Sequence, residues 1–321
     1  MTQSSPSAAG MIDRAIHLQG IAKSFGDQTA VEDLDLSVPS GSIYGLLGPN
    51  GAGKTTTLRI ILDIIGPDRG RVEVLGSQVD DAVRSRVGYL PEERGLYPRM
   101  RVLDHLVFLG ALKGMQQADA RAAAQHWLER LELADRSTDR VATLSKGMQQ
   151  KVQFLSTVLH HPDLLILDEP FSGLDPLNVD LLKEIVLERQ RQGSTVLFST
   201  HRIEDAERLC DRVCMIAGAR KVLDGPLREI KASAGRREVL LGLEGDASFL
   251  RRLPSVRRVS DHGNYFEIRL EDGANPQEIL RAALSESVRI RHFELAEPSL
   301  REIFLERAGA RASESDAEGV S

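Results

Sequence analysis

A glycine-rich segment between a predicted strand and a predicted helix constrains this chain more than any other feature. The strand Ser42–Leu47 leads directly into GPNGAGKT at 48–55, and an apolar-periodic helix follows at once. Glycines let backbone N–H groups turn inward around phosphate oxygens, and the N-terminus of the helix adds a partial positive charge. The segment therefore predicts a phosphate-binding loop of the Walker A type, with its strand and helix in the required order.

Two side chains of this loop carry the chemistry of a nucleotide site. Lys54 can reach the β- and γ-phosphates as a point charge, and the Thr55 hydroxyl can take one position on magnesium, a hard ion that prefers oxygen. A chance Lys-Thr after a glycine-rich turn occurs in roughly one chain in a hundred, and the flanking elements weaken that alternative. The residues predicted to bind nucleotide here are Gly48, Pro49, Asn50, Gly51, Ala52, Gly53, Lys54, Thr55 and Thr56.

A second motif places two adjacent acids at the end of a strand. The buried-type strand Leu164–Leu167 is followed by Asp168 and Glu169, whose side chains leave the strand end in different directions. We predict that Asp168 is a magnesium ligand and that Glu169 is the catalytic base, which polarises the water that attacks the γ-phosphate. An acidic turn at the end of a strand is a common alternative. The pair alone is therefore weak evidence for a catalytic site, and together with the phosphate loop it is strong evidence.

A histidine follows another predicted strand. Thr195–Ser199 leads into Thr200 and His201, where a neighbouring strand of the same sheet would end. We predict that His201 contacts the γ-phosphate or the attacking water, although a lone histidine more often has a surface or packing role.

The alternation of short β-branched runs with longer helical patterns from Ala15 to about Gly225 predicts an α/β sheet. Between Arg101 and His161 the pattern is almost wholly helical, which predicts a helical subdomain inserted between two strands. The predicted strands are Ala15–Ile21, Asp33–Val38, Ser42–Leu47, Arg71–Val74, Val87–Leu90, Leu164–Leu167, Thr195–Ser199, Arg212–Ala217 and Lys221–Leu223.

The sequence changes character after Lys231. The element order there is βαββαβ, which predicts a small α+β domain of the ferredoxin-like type, followed by a closing helix. The predicted elements are a strand at Glu238–Leu243, a short helix at Phe249–Leu253, a hairpin turning at Gly263 and Asn264, a helix at Pro276–Leu284 and a strand at Val288–Leu295.

The chain is longer than one hydrophobic core usually serves, so we expect two domains. The predicted organisation is a disordered tail at 1–13, a first domain at 14–230 with its helical subdomain at about 95–161, an accessory domain at 231–308 and a disordered tail at 309–321.

Composition bears on the partners of the chain. The formal net charge is −6, with 47 acidic and 41 basic residues, and gives no global attraction to nucleic acid or to anionic lipid. Acids interrupt the longest apolar runs, so we expect no membrane span. The start of the chain lacks a signal-peptide pattern. Cys210 and Cys214 suit reduced thiols, and we expect the chain to be cytoplasmic.

A third motif lies between the two nucleotide motifs. LSKGMQQK at 144–151 forms a polar turn that opens an apolar helix, and we expect either Ser145 or the turn itself to cap that helix. At this position it resembles the signature motif of ATP-binding cassette (ABC) ATPases. Four further matches occur in order: Phe25 in KSFG, Glu92 after GYLP, Asp175 in SGLD, and His201. The resemblance covers roughly Ala15 to Gly225.

The resemblance implies an ABC-type P-loop core with an antiparallel β subdomain, ATP and Mg²⁺ as cofactors, and a homodimer. In such a dimer Phe25 stacks on adenine, Ser145 and Gly147 bind the γ-phosphate of ATP held by a second subunit, and Asp175 links the two sites. The family signature reads LSGGQ, whereas this chain has Lys146 and Met148 in it. Glu92 stands where the family carries a glutamine near the metal, which implies that Glu92 lies in the metal shell.

Two further segments resemble bacterial exporter ATPases of the drug-resistance and sodium-efflux type, which act with separate membrane permeases. They are EERGLYP at 92–98 and EPSLREIF at 297–304. The resemblance implies a peripheral subunit on the cytoplasmic face of the membrane. The residues expected to line a groove for the permease are Leu96, Tyr97, Met100 and Phe108; ordinary core packing is the alternative, and for Phe108 it has at least equal weight.

Two other functions compete with the transporter subunit. One is a soluble ABC-type ATPase that acts on nucleic acid or ribosomes; such proteins usually carry tandem cassettes or long coiled coils, and this chain has one cassette and an acidic balance. The other is a P-loop switch or small kinase, against which the segment at Ser145 and the position of His201 argue.

Overall fold

The computed structural model describes residues 14–93, 95–233, 238–271, 273–286, 288–296, 299–305 and 307. The predicted tails at 1–13 and 309–321 lie outside the described residues, as do Arg94, Glu297 and Pro298 of the two exporter-like segments. The chain divides into two compact units, residues 1–224 and 225–321.

A six-stranded sheet forms the centre of the first unit. Its order is β5-β6-β7-β3-β8-β9, and the pairs from β5 through β8 are parallel. All residues of β3, β6 and β7 are buried, as expected of a parallel sheet that is covered on both faces. The strands are β3 (Ile43–Leu47), β5 (Val87–Leu90), β6 (Leu164–Asp168), β7 (Thr195–Thr200), β8 (Arg212–Ala217) and β9 (Arg220–Pro226).

A three-stranded antiparallel sheet of order β2-β1-β4 packs on the same core. Its strands are β1 (Arg14–Phe25), β2 (Gln28–Pro39) and β4 (Arg69–Val74). Ile16 of β1, Leu36 of β2, Leu46 of β3 and Ile166 of β6 belong to one buried cluster. The two sheets therefore share one buried core.

Strands β1 and β2 extend beyond their predicted bounds. The sequence predicts a start of β2 at Asp33, whereas the strand begins at Gln28. Asp33 has a φ of 49°, and the pairing shifts register in this region. The polar residues before Asp33 still pair with β1 as a hairpin, because Phe25 lies opposite Gln28.

Helices connect the strands and form the predicted insertion between β5 and β6. Trp127 is buried there, with the guanidinium groups of Arg130 and Arg189 at 5.0 and 5.2 Å from its ring centre. The helices of the first unit are α1 (Lys54–Ile61), α2 (Asp81–Ser85), α3 (Val102–Leu112), α4 (Gln117–Arg130), α5 (Lys146–Val158), α6 (Pro176–Arg191) and α7 (Ile203–Leu209), with short 3₁₀ helices at Ala134–Arg136 and Val141–Thr143.

The second unit has the predicted βαββαβ order. Its antiparallel sheet has the order β11-β12-β10-β13, which confirms the ferredoxin-like type. The predicted helix at Phe249–Leu253 is a 3₁₀ helix at Ser248–Arg252. The elements are α8 (Leu227–Ser233), β10 (Glu238–Glu244), β11 (Val256–Asp261), β12 (Phe266–Leu270), α9 (Gln277–Ser285) and β13 (Arg289–Ala296).

The core of the second unit consists of apolar side chains from one face of its sheet and from its helices, among them Val239, Leu250, Ile268 and Ile279. Residues 300–305 are helical, where the sequence predicts the closing helix. In the described part of the chain, no helix is both long and apolar enough to cross a membrane.

Gly88 of β5 gives a direct test of how closely the sheet and α5 approach. A Cβ at Gly88 would lie 2.3 Å from the carbonyl oxygen of Thr157, so Gly88→Ala forces backbone apart. We expect a loss of about 1–3 kcal/mol in the free energy of unfolding, measured by chemical denaturation. Gly95→Ala is the control, because no atom lies within 4 Å of its Cβ position. Equal stability of the two variants would contradict this packing.

Candidate active site

The register of the parallel strands gathers the predicted motifs at one edge of the sheet. Leu47, the last residue of β3, pairs with Thr200 of β7, and Asp168, the last residue of β6, pairs with Ser199. Parallel strands end at the same edge, where α/β proteins bind their ligands. The phosphate loop, the two acids and His201 therefore follow three adjacent strands at this edge.

The phosphate loop has backbone conformations that only glycine adopts without strain. Gly53 has a φ of 105°, and a Cβ there would lie 2.1 Å from the carbonyl oxygen of Ala30. A Cβ at Gly48 would lie 2.2 Å from the carbonyl oxygen of Ile216. Both glycines thus allow the loop to approach neighbouring backbone closely. Helix α1 begins at Lys54 with no side chain capping it, so its first N–H groups stay available to an anion.

Lys54 is buried within the loop that it follows. Its ammonium group donates hydrogen bonds to the carbonyl oxygens of Gly48 at 2.8 Å and Pro49 at 3.2 Å. It also lies 3.8 Å from Oε1 of Glu169. At this edge of the sheet, the ammonium group of Lys54 thus lies close to Glu169, the predicted catalytic base.

Asp168 has the properties of a metal ligand. Its side chain is buried, and its Oδ1 accepts a hydrogen bond from the hydroxyl of Ser199. Its Oδ2 is also buried and has no hydrogen-bond partner among the described residues. An unpaired buried carboxylate oxygen is costly, so the residue fits a hard cation such as Mg²⁺, which protein carboxylates bind together with substrate phosphates.

Glu169 is held more firmly than the sequence alone indicates. Its backbone has a φ of 48°, a conformation that costs free energy for a residue with a side chain. Its Oε2 accepts a hydrogen bond from the Thr200 hydroxyl at 3.1 Å, and its Oε1 accepts one from the backbone N–H of His201 at 3.0 Å. The imidazole Nδ1 of His201 lies 2.8 Å from the same Oε1. His201 therefore contacts the predicted base directly.

A cavity of about 410 Å³ opens over the loop, a size that suits a small-molecule ligand. Phe25 lies at its rim with 53% of its surface exposed, and Lys23 places its ammonium group 5.5 Å from the Phe25 ring centre. Its lining residues are Phe25, Gln28, Ala30, Asn50, Gly51, Gly53, Lys54, Thr55, Thr56, Glu92 and Glu169.

Sequence reasoning missed Gln28 and Ala30, because neither residue belongs to a recognisable motif. The pairing of Gln28 with Phe25 brings them to the site. The remaining predicted residues do not line this cavity: Gly48, Pro49, Ala52, Asp168, His201, Ser145 and Gly147.

Glu92 adds a second carboxylate to the cavity. Burial raises the pKa of Tyr89, and the negative charges of Asp168 and Glu92 raise it further. Both acids therefore oppose ionisation of the same phenol. Within the described ranges, no three His, Cys, Asp or Glu side chains form a cluster able to hold a metal.

Ser145 and Asp175 both cap helices at the protein surface. Ser145 is the N-cap of α5, and its hydroxyl accepts a hydrogen bond from the N–H of Met148 at 3.3 Å. Asp175 caps α6, and hydrogen bonds from the backbone and side chain of Asn178 keep its pKa below the ordinary value. Ser145 is exposed and Gly147 is half-buried, so the start of α5 is accessible to another molecule.

Comparison with known proteins identifies the family of each unit. The ABC transporter family matches residues 31–172, and the C-terminal domain of DrrA1-3-like ATP-binding proteins matches residues 225–308. Both matches correspond to the resemblance that the motifs predict.

Individual relatives extend over almost the whole chain. The chain is 46% identical to the uncharacterized ABC transporter ATP-binding protein YhaQ of Bacillus subtilis, over 90% of this chain and 97% of that protein. It is 32% identical to the daunorubicin/doxorubicin resistance ATP-binding protein DrrA of Streptomyces peucetius, over 95% and 96%. The solved ATP-binding subunit of an ABC transporter matches 69% of this chain and 93% of its own, with 32% identity and a TM-score of 0.65.

The fold and the motifs at its sheet edge define a P-loop ATPase of the ATP-binding cassette class. The chain belongs to the ATP-binding proteins of ABC transporters, and its C-terminal unit to the domain that accompanies the DrrA-like branch. It binds ATP and is an ATPase.

The position of Glu92 predicts an effect on nucleotide affinity. Glu92→Gln removes a negative charge from a cavity that receives phosphates. A unit charge about 4 Å away contributes about 1 kcal/mol in water, so we expect about fivefold tighter binding of metal-free ATP, measured by displacement of a fluorescent nucleotide. The control is Glu93→Gln, because Glu93 is exposed and does not line the cavity. A gain of similar size in the control would show that the effect is general charge, not position.

Proposed function

We propose that this chain is the ATP-hydrolysing subunit of an exporter, that it dimerises with a second copy when ATP binds, and that it thereby drives a separate membrane permease. The observation that carries the catalytic part is the contact of Glu169 with both Lys54 and His201. The names of two relatives support export: one is a drug-resistance ATP-binding protein, and the other, from Bradyrhizobium diazoefficiens, is a Nod factor export ATP-binding protein with 40% identity over 67% of this chain and 71% of its own.

In the proposed site an aromatic side chain binds the base of ATP, and positively charged and N–H groups bind its phosphates. Phe25 stacks on the base, and the loop N–H groups with Lys54 hold the phosphates. Asp168 and Thr55 would hold Mg²⁺, with Glu92 beside them, and the ion would neutralise phosphate charge and orient the phosphates. The orphan Oδ2 of Asp168 supports this assignment.

Hydrolysis requires a base for the attacking water. The water attacks the γ-phosphorus and passes a proton to the carboxylate of Glu169, while the bond to the β-phosphate oxygen breaks and ADP leaves. Hydrogen bonds from Thr200 and His201 hold that carboxylate in place. Lys54 stabilises the charge on the phosphate oxygens.

A second copy of the chain completes the site. In the proposed dimer Ser145 and Gly147 reach the γ-phosphate of the partner's ATP and present the N-terminus of α5 to it. Inverting a mostly open population to a mostly closed one needs about 5.5 kcal/mol of differential binding. Contacts that form only in the closed dimer supply this free energy, and Asp175 links the two sites.

The proposed division of labour follows the two units. Residues 14–230 form the ATPase domain, with its helical subdomain at about 95–161, and residues 231–308 form the accessory domain. The boundary between the compact units at 224 and 225 supports this division. We place the protein in the cytoplasm, attached to the membrane through its permease.

Replacement of the base separates binding from turnover. Glu169→Gln replaces the carboxylate by an amide, which does not accept a proton from water. We therefore expect the rate of hydrolysis to fall by roughly 10²- to 10⁴-fold and ATP to hold the protein as a dimer. Phosphate release and size-exclusion chromatography with ATP measure the two effects. Glu129→Gln is the control, since Glu129 is exposed on α4. Near-normal turnover in Glu169→Gln would remove Glu169 from the role of base.

The proposed permease surface is an aromatic cluster next to the start of α3. Tyr97 is 49% exposed, and its ring centre lies 5.6 Å from that of Phe108 and 5.8 Å from that of His105. Burial lowers the pKa of His105 to about 4, so the cluster is uncharged at neutral pH. Together with Leu96 and Met100, the aromatic cluster forms an apolar surface to which a cytoplasmic helix of the permease can bind.

Crosslinking tests this surface. Cysteines introduced as Tyr97→Cys or Met100→Cys should crosslink to a co-expressed permease, because these positions lie in the proposed groove. The native Cys210 and Cys214 are buried, so the wild-type chain is the background control. A cysteine introduced at Glu129, on α4, is the surface control. Crosslinking from Glu129→Cys but not from Tyr97→Cys or Met100→Cys would contradict the groove.

A further inference from the structure

Each of the two acids at the end of β6 accepts a hydrogen bond from a hydroxyl of β7. The Ser199 hydroxyl donates to Oδ1 of Asp168, and the Thr200 hydroxyl donates to Oε2 of Glu169 at 3.1 Å. The parallel register, which pairs Asp168 with Ser199, produces both contacts. Ser199 and Thr200, which are consecutive in β7, thus donate hydrogen bonds to Asp168 and Glu169, which are consecutive at the end of β6.

Both hydroxyl groups are buried in the protein, so the acceptor toward which each one points its hydrogen is important. Ser199 is 0% exposed and Thr200 is 3% exposed. The Thr200 oxygen also accepts the N–H of Arg202 at 3.0 Å, which leaves its hydrogen to point at Glu169. Hydrogen bonds to charged groups are roughly twice as strong as neutral ones, so each contact restricts the carboxylate that accepts it.

The two contacts have different consequences. The Ser199 hydroxyl occupies Oδ1 of Asp168 and leaves Oδ2 as the oxygen without a partner among the described residues. It therefore selects which oxygen is presented. The Thr200 hydroxyl occupies Oε2 of Glu169, while His201 contacts Oε1, so the plane of this carboxylate is fixed from two sides.

We propose that Ser199 and Thr200 are positioning residues of the ATPase: Ser199 orients Asp168 toward its metal, and Thr200 orients Glu169 toward the attacking water. The first half rests on the proposed Mg²⁺ site, and the second on the proposed base. Partners of metal ligands typically change metal affinity or activity by 10- to 100-fold when they are lost. The two substitutions should therefore have separate effects.

The experiment measures metal binding and turnover on the same variants of the full chain. Mn²⁺ binding in the presence of a non-hydrolysable ATP analogue is followed by electron paramagnetic resonance, and kcat is measured at saturating metal. We expect Ser199→Ala to weaken Mn²⁺ binding by about 10-fold or more with kcat changed less than threefold. We expect Thr200→Val to lower kcat by about 10-fold with Mn²⁺ affinity unchanged.

Ser194→Ala is the matched control. Ser194 is buried just before β7, and its hydroxyl donates to the carbonyl oxygen of Pro162 at 2.7 Å. This variant loses a buried hydroxyl contact of similar kind at the far end of the same strand, so it reproduces a loss of stability without touching either acid. Ser199→Thr and Thr200→Ser keep the hydroxyls and should restore Mn²⁺ affinity and kcat, respectively.

The outcomes separate this proposal from the one on which it rests. If Asp168→Asn abolishes Mn²⁺ binding but Ser199→Ala binds as tightly as Ser194→Ala, the positioning role of Ser199 is wrong and the metal site stands. If Asp168→Asn itself binds Mn²⁺ normally, the proposed metal site is wrong. A Thr200→Val enzyme with the kcat of Ser194→Ala would overturn the role of Thr200.

Discussion

The parallel pairing of β6, β7 and β3 is the constraint on which the site depends. Each strand contributes its last residue, or the residue after it, to the same sheet edge, so three motifs that lie far apart in the chain meet there. The buried apolar runs hold these strands in register. A one-residue slip would turn alternate side chains to the other face and separate the two acids from their partners on β7.

Besides the strand register, unusual local backbone conformations determine the geometry of the site. Gly48 and Gly53 allow the loop to lie against the carbonyl oxygens of Ile216 and Ala30, and Glu169 turns out of β6 with a positive φ. The positive φ of Glu169 costs free energy, and the surrounding sheet stabilises it. The result is an arrangement in which a buried ammonium, a buried carboxylate and an imidazole are close together, as catalysis by fixed charges requires.

The sequence predicts the fold class and the strand ends at which the motifs lie, since strand, glycine loop and helix follow one another directly and the acids end an apolar run. It does not predict the contacts that depend on strand pairing. Ser199 and Thr200 carry no motif, and only the pairing of Asp168 with Ser199 reveals their hydrogen bonds. Gln28 enters the cavity for the same reason, because a hairpin places it opposite Phe25.

The exposed N-terminus of α5, capped by Ser145, leads to the central claim that a catalytic site consists of groups from two chains. The most direct test is the ATPase rate per mole of wild-type protein over a range of concentrations, with the oligomeric state of the same samples determined by analytical ultracentrifugation. If two chains form each site, the rate per mole rises in step with the dimer fraction. A constant rate per mole in samples that sediment as monomers would contradict it.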